Sequence, residues 1–136
     1  MQYTHSFPIR VYYEDTDTAG VVYYANYLKF AERARTEALR LSGIEQSDLL
    51  SEHKISFVVR RCIIDFLKPA KLDDLLTVET GLTEINKISM TMHQEIKLGR
   101  KTLVTLEVKL AVVDDNMKLA KLPDLVRNAV LKVFSR

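Results

Sequence analysis

Residues 3 to 13 alternate between two faces, with Tyr3, His5, Phe7, Ile9, Val11 and Tyr13 on one and Thr4, Ser6, Arg10 and Tyr12 on the other. A period of two is the signature of a strand. From Glu14 to Gly20 the alternation gives way to acids, threonines and a glycine, residues that favour a loop. Between Asn26 and Ser42 the period lengthens. Tyr27, Phe30, Ala31, Ala34, Ala38 and Leu41 form one stripe, and Lys29, Glu32, Arg33, Thr36, Glu37 and Arg40 form the opposite one. This predicts an amphipathic helix that stops at Gly43. The alanines in its apolar stripe let another element approach closely, as a helix wrapped by a sheet requires.

A short second helix is expected over 46–53, then four strands near 54–67, 75–86, 87–98 and 101–114. The last has the cleanest pattern, with Val104, Leu106, Val108, Leu110 and Val112 on one face. Turn signals separate them: Pro69 with Asp73 and Asp74, then Glu84 to Lys87, then Gly99 with Arg100. The expected arrangement is an antiparallel meander. Pro123 opens a final helix with Leu125, Val126, Ala129, Val130 and Val133 on its apolar face. These elements describe an α+β fold, an antiparallel sheet of about five strands around one long helix.

Composition narrows the function classes. A chain of 136 residues suits a single domain over 1–136, and 47% hydrophobic with 28% charged residues suits a globular protein with a real core. A net charge of +2 with interspersed signs gives no basic field for nucleic acid. No apolar run approaches the roughly 18 residues of a membrane span, and the first residues lack a secretory apolar run. With Cys62 the lone cysteine, a reducing cytoplasm is the expected compartment.

The chemistry concentrates in residues 11 to 27, where Glu14, Asp15 and Asp17 fall within four positions between a strand end and a helix start. Mutual repulsion favours separate roles for them. Hydrolysis of a thioester needs a carboxylate to attack or to activate water, and N–H donors where the carbonyl oxygen gains charge. Asp17 can be the first, and the amides from Val22 through Tyr23 to Tyr24 at the helix start can be the second. Gly20 would let a substrate approach the backbone. The commoner use of such acids is a helix cap or Asx-turn, and Asp15 with Asp17 could also hold a hard cation. His5, His53 and His93 are scattered without zinc spacing, Cys62 reads as core, and there is no Gly-x-Ser-x-Gly run.

The segment from Val11 through Glu14, Asp15, Thr16, Asp17 and Gly20 to Tyr27, followed by Phe30 and Glu32 to Glu37, resembles the YbgC-type branch of the 4-hydroxybenzoyl-CoA thioesterase family. Phe57 to Arg60, Pro69 with Ala70, and Leu72 to Asp74 extend the likeness along nearly the whole chain. The resemblance implies a hotdog fold, a homodimer whose sheets join, pairing again into a homotetramer, and acyl-CoA hydrolysis without metal or bound cofactor. The family's catalytic carboxylate falls on Asp17 and its polarising backbone amide on Tyr24, where many YbgC-type proteins carry histidine. Glu32 matches a helix acid that positions substrate or water. Lys87 matches basic residues set against CoA phosphates, with Arg60 and Arg61 as alternatives. Two rivals keep the fold: a hydratase, which needs a histidine that the Asp17 loop lacks, and a weakly catalytic binding module for acyl carrier protein or a lipid-synthesis complex. No membrane insertion is expected.

Overall fold

In the computed structural model, which describes residues 4–135, the chain runs β1 (His5–Arg10), a 3-10 turn (Tyr13–Asp15), α1 (Asn26–Leu41), α2 (Gln46–Glu52), β2 (Ile55–Phe66), β3 (Leu75–Ile85), β4 (Ser89–Leu98), β5 (Lys101–Asp114) and α3 (Asp124–Phe134). Tyr3, assigned above to the first strand, lies outside the described residues. The strand is also shorter than expected at its other end. Val11 is buried, but Tyr13 turns away with the 3-10 turn and is 83% exposed.

All pairings in the sheet are antiparallel, in the order β1-β3-β4-β5-β2. Only β3, β4 and β5 form the expected meander. The segment 67–74 does not turn β2 back on itself but crosses to the far side of β5 and β4, so that β3 pairs with β1. Three strand spacings are roughly 14 Å, well within reach of an eight-residue connection. Nothing in the local period records this choice, because the residues on each face are the same either way.

One face of the sheet curls around α1. Val104, Leu106, Val108, Leu110 and Val112 of β5 are buried together with Met90, Met92 and Ile96 of β4 and Val78 and Leu82 of β3. Against them α1 sets Tyr27, Phe30, Ala31, Ala34, Ala38 and Leu39. Leu41, expected in that stripe, is exposed at the last turn, and Arg35 is buried instead. The Arg35 Nη1 donates to Gln94 Oε1 at 3.0 Å, and Gln94 Nε2 donates in turn to Ala31 O at 3.0 Å and to Thr80 Oγ1 at 2.9 Å. This buried polar chain fixes the helix against the sheet. Gly43, at φ +86°, ends α1 in the left-handed conformation that glycine adopts without strain.

Edge strand β2 differs from the rest. Val59, Ile63 and Phe66 remain exposed along it, and Arg60 occupies an irregularity in its pairing with β5.

Candidate active site at the head of α1

Residues 16 to 22 form a small antiparallel loop. Thr16 bridges Val22, the Asp17 N–H donates to Val21 O at 2.9 Å, and the Gly20 N–H closes the tip onto Asp17 O at 3.0 Å. Gly20 takes φ +79° there, a conformation costly to residues with a Cβ, and its missing side chain would meet nothing within 4 Å. The tip is therefore open to an approaching ligand.

The acids of the loop have parted company. Asp15 is buried, accepting from the Tyr12 N–H at 2.8 Å on Oδ2 and from Asn26 Nδ2 at 2.9 Å on Oδ1. Asp17 is exposed. Its Oδ1 accepts from the Ala19 N–H at 2.8 Å, an Asx-turn, and its Oδ2 has no protein donor among the described residues. The two carboxylates thus face different partners. Asp17 carries both readings given to it above, a local turn former and an accessible carboxylate.

The helix-start amides are fewer than the sequence led us to expect. The Val22 N–H donates to Ala70 O at 2.9 Å and the Tyr23 N–H to Asp15 O at 2.9 Å, so both are spent on the fold. The amides of Tyr24 and Ala25 have no acceptor among the described residues. Helix α1 opens with no side-chain cap, leaving these donors and the positive end of the helix dipole facing outward. Of the three amides proposed, Tyr24 alone keeps its N–H free.

Beside them lies a cavity of about 270 Å³ lined by Val22, Tyr24, Tyr27, Phe66, Leu67, Lys68 and Pro69. The Tyr24 ring meets Phe66 edge-on at 6.0 Å, and Tyr27 meets Phe66 at 5.9 Å. The Tyr27 hydroxyl accepts from the Ala70 N–H at 3.0 Å, and burial pushes its phenol pKa up. Ala70 is thereby held from both sides, which locks the β2–β3 connection onto the loop and the helix. From sequence Tyr27 was expected only in the apolar stripe of the helix, and Asp15 only as one of three loop acids, able to hold a cation with Asp17. The signal for Asp15 was its place three residues after Tyr12, whose N–H it caps.

Other expected site residues stand apart from this centre within one chain. Lys87 follows β3 at the end opposite Ala70, some 35 Å away at about 3.3 Å per residue over an 11-residue strand. Arg60 precedes Phe66 by roughly 20 Å of strand. Glu32 is exposed two turns along α1, between a cavity of about 410 Å³ shared with Phe7 and Glu37 and one of about 270 Å³ shared with Arg35 and Val59. Cys62 is half-buried on β2, and burial raises its thiol pKa, which suits packing better than nucleophilic attack.

Comparison with known proteins supplies a context for this geometry. Residues 19–105 match the thioesterase superfamily, a span that takes in Gly20, Tyr24 and all of α1 and begins just after Asp17. The chain is 47% identical over 125 residues to the acyl-CoA thioesterase YbgC of Haemophilus influenzae, covering 91% of this chain and 92% of that one. To the acyl-CoA thioester hydrolase YbgC of Escherichia coli it is 43% identical over 112 residues, covering 82% and 83%. The crystal structure of a probable thioesterase from Bartonella henselae superposes with a TM-score of 0.86 at 40% identity, over 89% of this chain and 100% of that one.

Proposed function

The chain belongs to the thioesterase superfamily, and on that footing we propose how it hydrolyses an acyl-CoA thioester: Asp17 is the catalytic carboxylate and the Tyr24 N–H polarises the carbonyl. The observation that carries this reading is the pairing of a carboxylate oxygen without a protein donor and an amide without an acceptor at one helix head. The thioester carbonyl oxygen accepts from the Tyr24 N–H, where the helix dipole stabilises the negative charge that develops. Asp17 either takes the proton from an attacking water or attacks the carbonyl itself, forming an anhydride that water then opens. Both routes collapse by expelling the CoA thiolate and leave the free acid. Gly20 keeps the approach clear, and the aromatic cavity of Tyr24, Tyr27 and Phe66 receives the group next to the carbonyl.

The free edge of β2 supports assembly into a homodimer, and pairs of dimers give a homotetramer. This strand is twelve residues long and exposes Val59, Ile63 and Phe66, so a second copy pairing along it would cover an apolar edge that otherwise invites aggregation. Such pairing would carry Glu32 and Arg60 toward the other copy's Phe66 cavity. Among the described residues no helix is long and apolar enough to cross a membrane, and the free Cys62 suits a reducing cytoplasm. Acyl carrier protein is the alternative carrier of the thioester. Thiol release from acyl-CoA by the wild-type protein and by Asp17→Asn tests the assignment.

A further inference from the structure

Arg35, on the buried side of α1, is 8% exposed, yet its guanidinium is only partly used by the fold. Nη1 donates to Gln94 Oε1 at 3.0 Å, while Nε and Nη2 have no acceptor among the described residues. No carboxylate of those residues lies within ion-pair distance of it. A guanidinium withdrawn from water without an anion is costly, and donors left over beside a cavity can recover part of that cost from a ligand.

Such a cavity is present. Helix α1 packs chiefly on β1, β3 and β4, α2 packs on β2, and a space of about 270 Å³ remains where α1, α2 and β2 meet. Arg35 lines it beside Thr36 and Gln46, whose Nε2 donates to Thr36 Oγ1 at 3.1 Å. Leu39, Phe57 and Leu110 give it apolar walls, and Val59 stands exposed at the free edge of β2. Glu32 is the only acid of the lining and is itself exposed. Burial lowers the Arg35 pKa, and the charge of Glu32 opposes this without pairing with the guanidinium. Spare donors on a planar cation among apolar walls suit a small organic carboxylate, its oxygens on the guanidinium and its hydrocarbon body against Leu39 and Phe57.

We infer that the Arg35 cavity is a carboxylate-binding site, built on a cation that the proposed catalysis leaves unused. It lies roughly 13 Å along α1 from Asn26, so within one chain it is separate from the centre formed by Asp17 and Tyr24. Two sources carry the group it takes: the free acid that hydrolysis releases, and the far end of an acyl chain that itself ends in a carboxylic acid. The second source rests on the thioesterase reading and on pairing along β2, which would set the cavity near a second copy's Phe66 cavity. The first needs neither.

The test titrates the wild-type protein with hexanoate and with hexanamide, its uncharged counterpart, following backbone amide shifts by NMR. Hexanoate binds roughly tenfold or more tighter than hexanamide, and the shifts centre on Thr36, Leu39 and Gln46. Arg35→Lys, which loses the planar fork, weakens hexanoate roughly tenfold. Glu32→Gln, which leaves the Arg35–Gln94 bond in place and so guards against loss of fold, tightens it a few fold by removing a like charge. Equal binding of the two probes, an affinity that neither substitution moves, or shifts confined to the head of α1 overturns the site. Thiol release from adipyl-CoA and sebacyl-CoA beside hexanoyl-CoA and decanoyl-CoA then separates the sources. A preference for the acid-ended chains that Arg35→Lys abolishes assigns the acyl end, and no preference with hexanoate still bound assigns the free acid. Hexanoate bound without thiol release from any acyl-CoA leaves the site standing and removes the hydrolase reading.

Discussion

Asn26, the first residue of α1, donates from Nδ2 to Asp15 Oδ1 across 2.9 Å in the interior. The same carboxylate takes the Tyr12 N–H on its other oxygen at 2.8 Å. One buried acid therefore ties the end of β1 to the head of the helix and holds the intervening loop in place. Its neighbour two positions on, Asp17, is left facing solvent with an oxygen to spare.

Replacing Asp15 by Ala leaves a buried side-chain amide and a backbone N–H without their acceptor. The expected loss is about 2 kcal/mol of unfolding free energy, read by denaturant titration, together with reduced kcat because the Tyr24 amide is no longer held. An unchanged denaturation midpoint would show that the Asp15 bonds do not organise the loop.

Tyr27→Phe keeps the ring contacts with Phe30 and Phe66 and removes only the acceptor of the Ala70 N–H. A loss of about 1 kcal/mol is expected near neutral pH. Burial raises the phenol pKa in the folded state, so the unfolded chain ionises first as pH climbs. The contribution is whole below about pH 10 and falls away above it. The Phe variant should lack that part of the alkaline decline in a pH series of unfolding midpoints.

At Tyr24 the backbone, and not the phenol, is assigned the chemistry. Tyr24→Phe should hold kcat within a few fold, since the ring still meets Phe66. Tyr24→Pro, which removes the N–H, should lower kcat by about a hundredfold to a thousandfold, with circular dichroism confirming that α1 persists. Equal losses in the two variants would move the role to the hydroxyl.

His5 gives the fold an acid-sensitive contact between β1 and α1. Burial lowers its pKa, opposed by the charge of Glu37, and its Nδ1 is buried without a partner among the described residues. Because the unfolded chain takes up the proton first, stability from this group is present above about pH 6.5 and is lost as pH falls through the lower folded value. His5→Gln should flatten the unfolding midpoint between neutrality and mild acid, and an unaltered acid slope would assign that slope to other groups.

Local periodicity made the elements legible but not their neighbours. The stripe of Tyr27, Phe30, Ala31, Ala34 and Ala38 and the row from Val104 to Val112 turned up buried as patterned, because burial of a face is written in every third, fourth or second residue. Strand order was not written there: 67–74 carries the same turn residues whether it folds back or crosses the sheet. Asp17 was legible as an accessible acid, whereas the burial of Asp15 depends on Asn26, eleven residues away and a helix turn in space. The amides at Val22 and Tyr23 look free along the chain and are consumed by Ala70 and Asp15 only once the loop closes. Within one chain Lys87 lies at the end of β3 away from Ala70, a placement that the composition of its turn does not record.

The measurement that bears most directly on the account is thiol release from a panel of acyl-CoAs, short aliphatic to aromatic, with wild type beside Asp17→Asn. The amide preserves the shape of the side chain but can serve neither as nucleophile nor as base, so the account predicts turnover by wild type and a loss of a hundredfold or more, on the order of what a positioned base contributes, in a variant that unfolds at the same denaturant concentration. Full turnover by Asp17→Asn would contradict it and remove Asp17 from the chemistry.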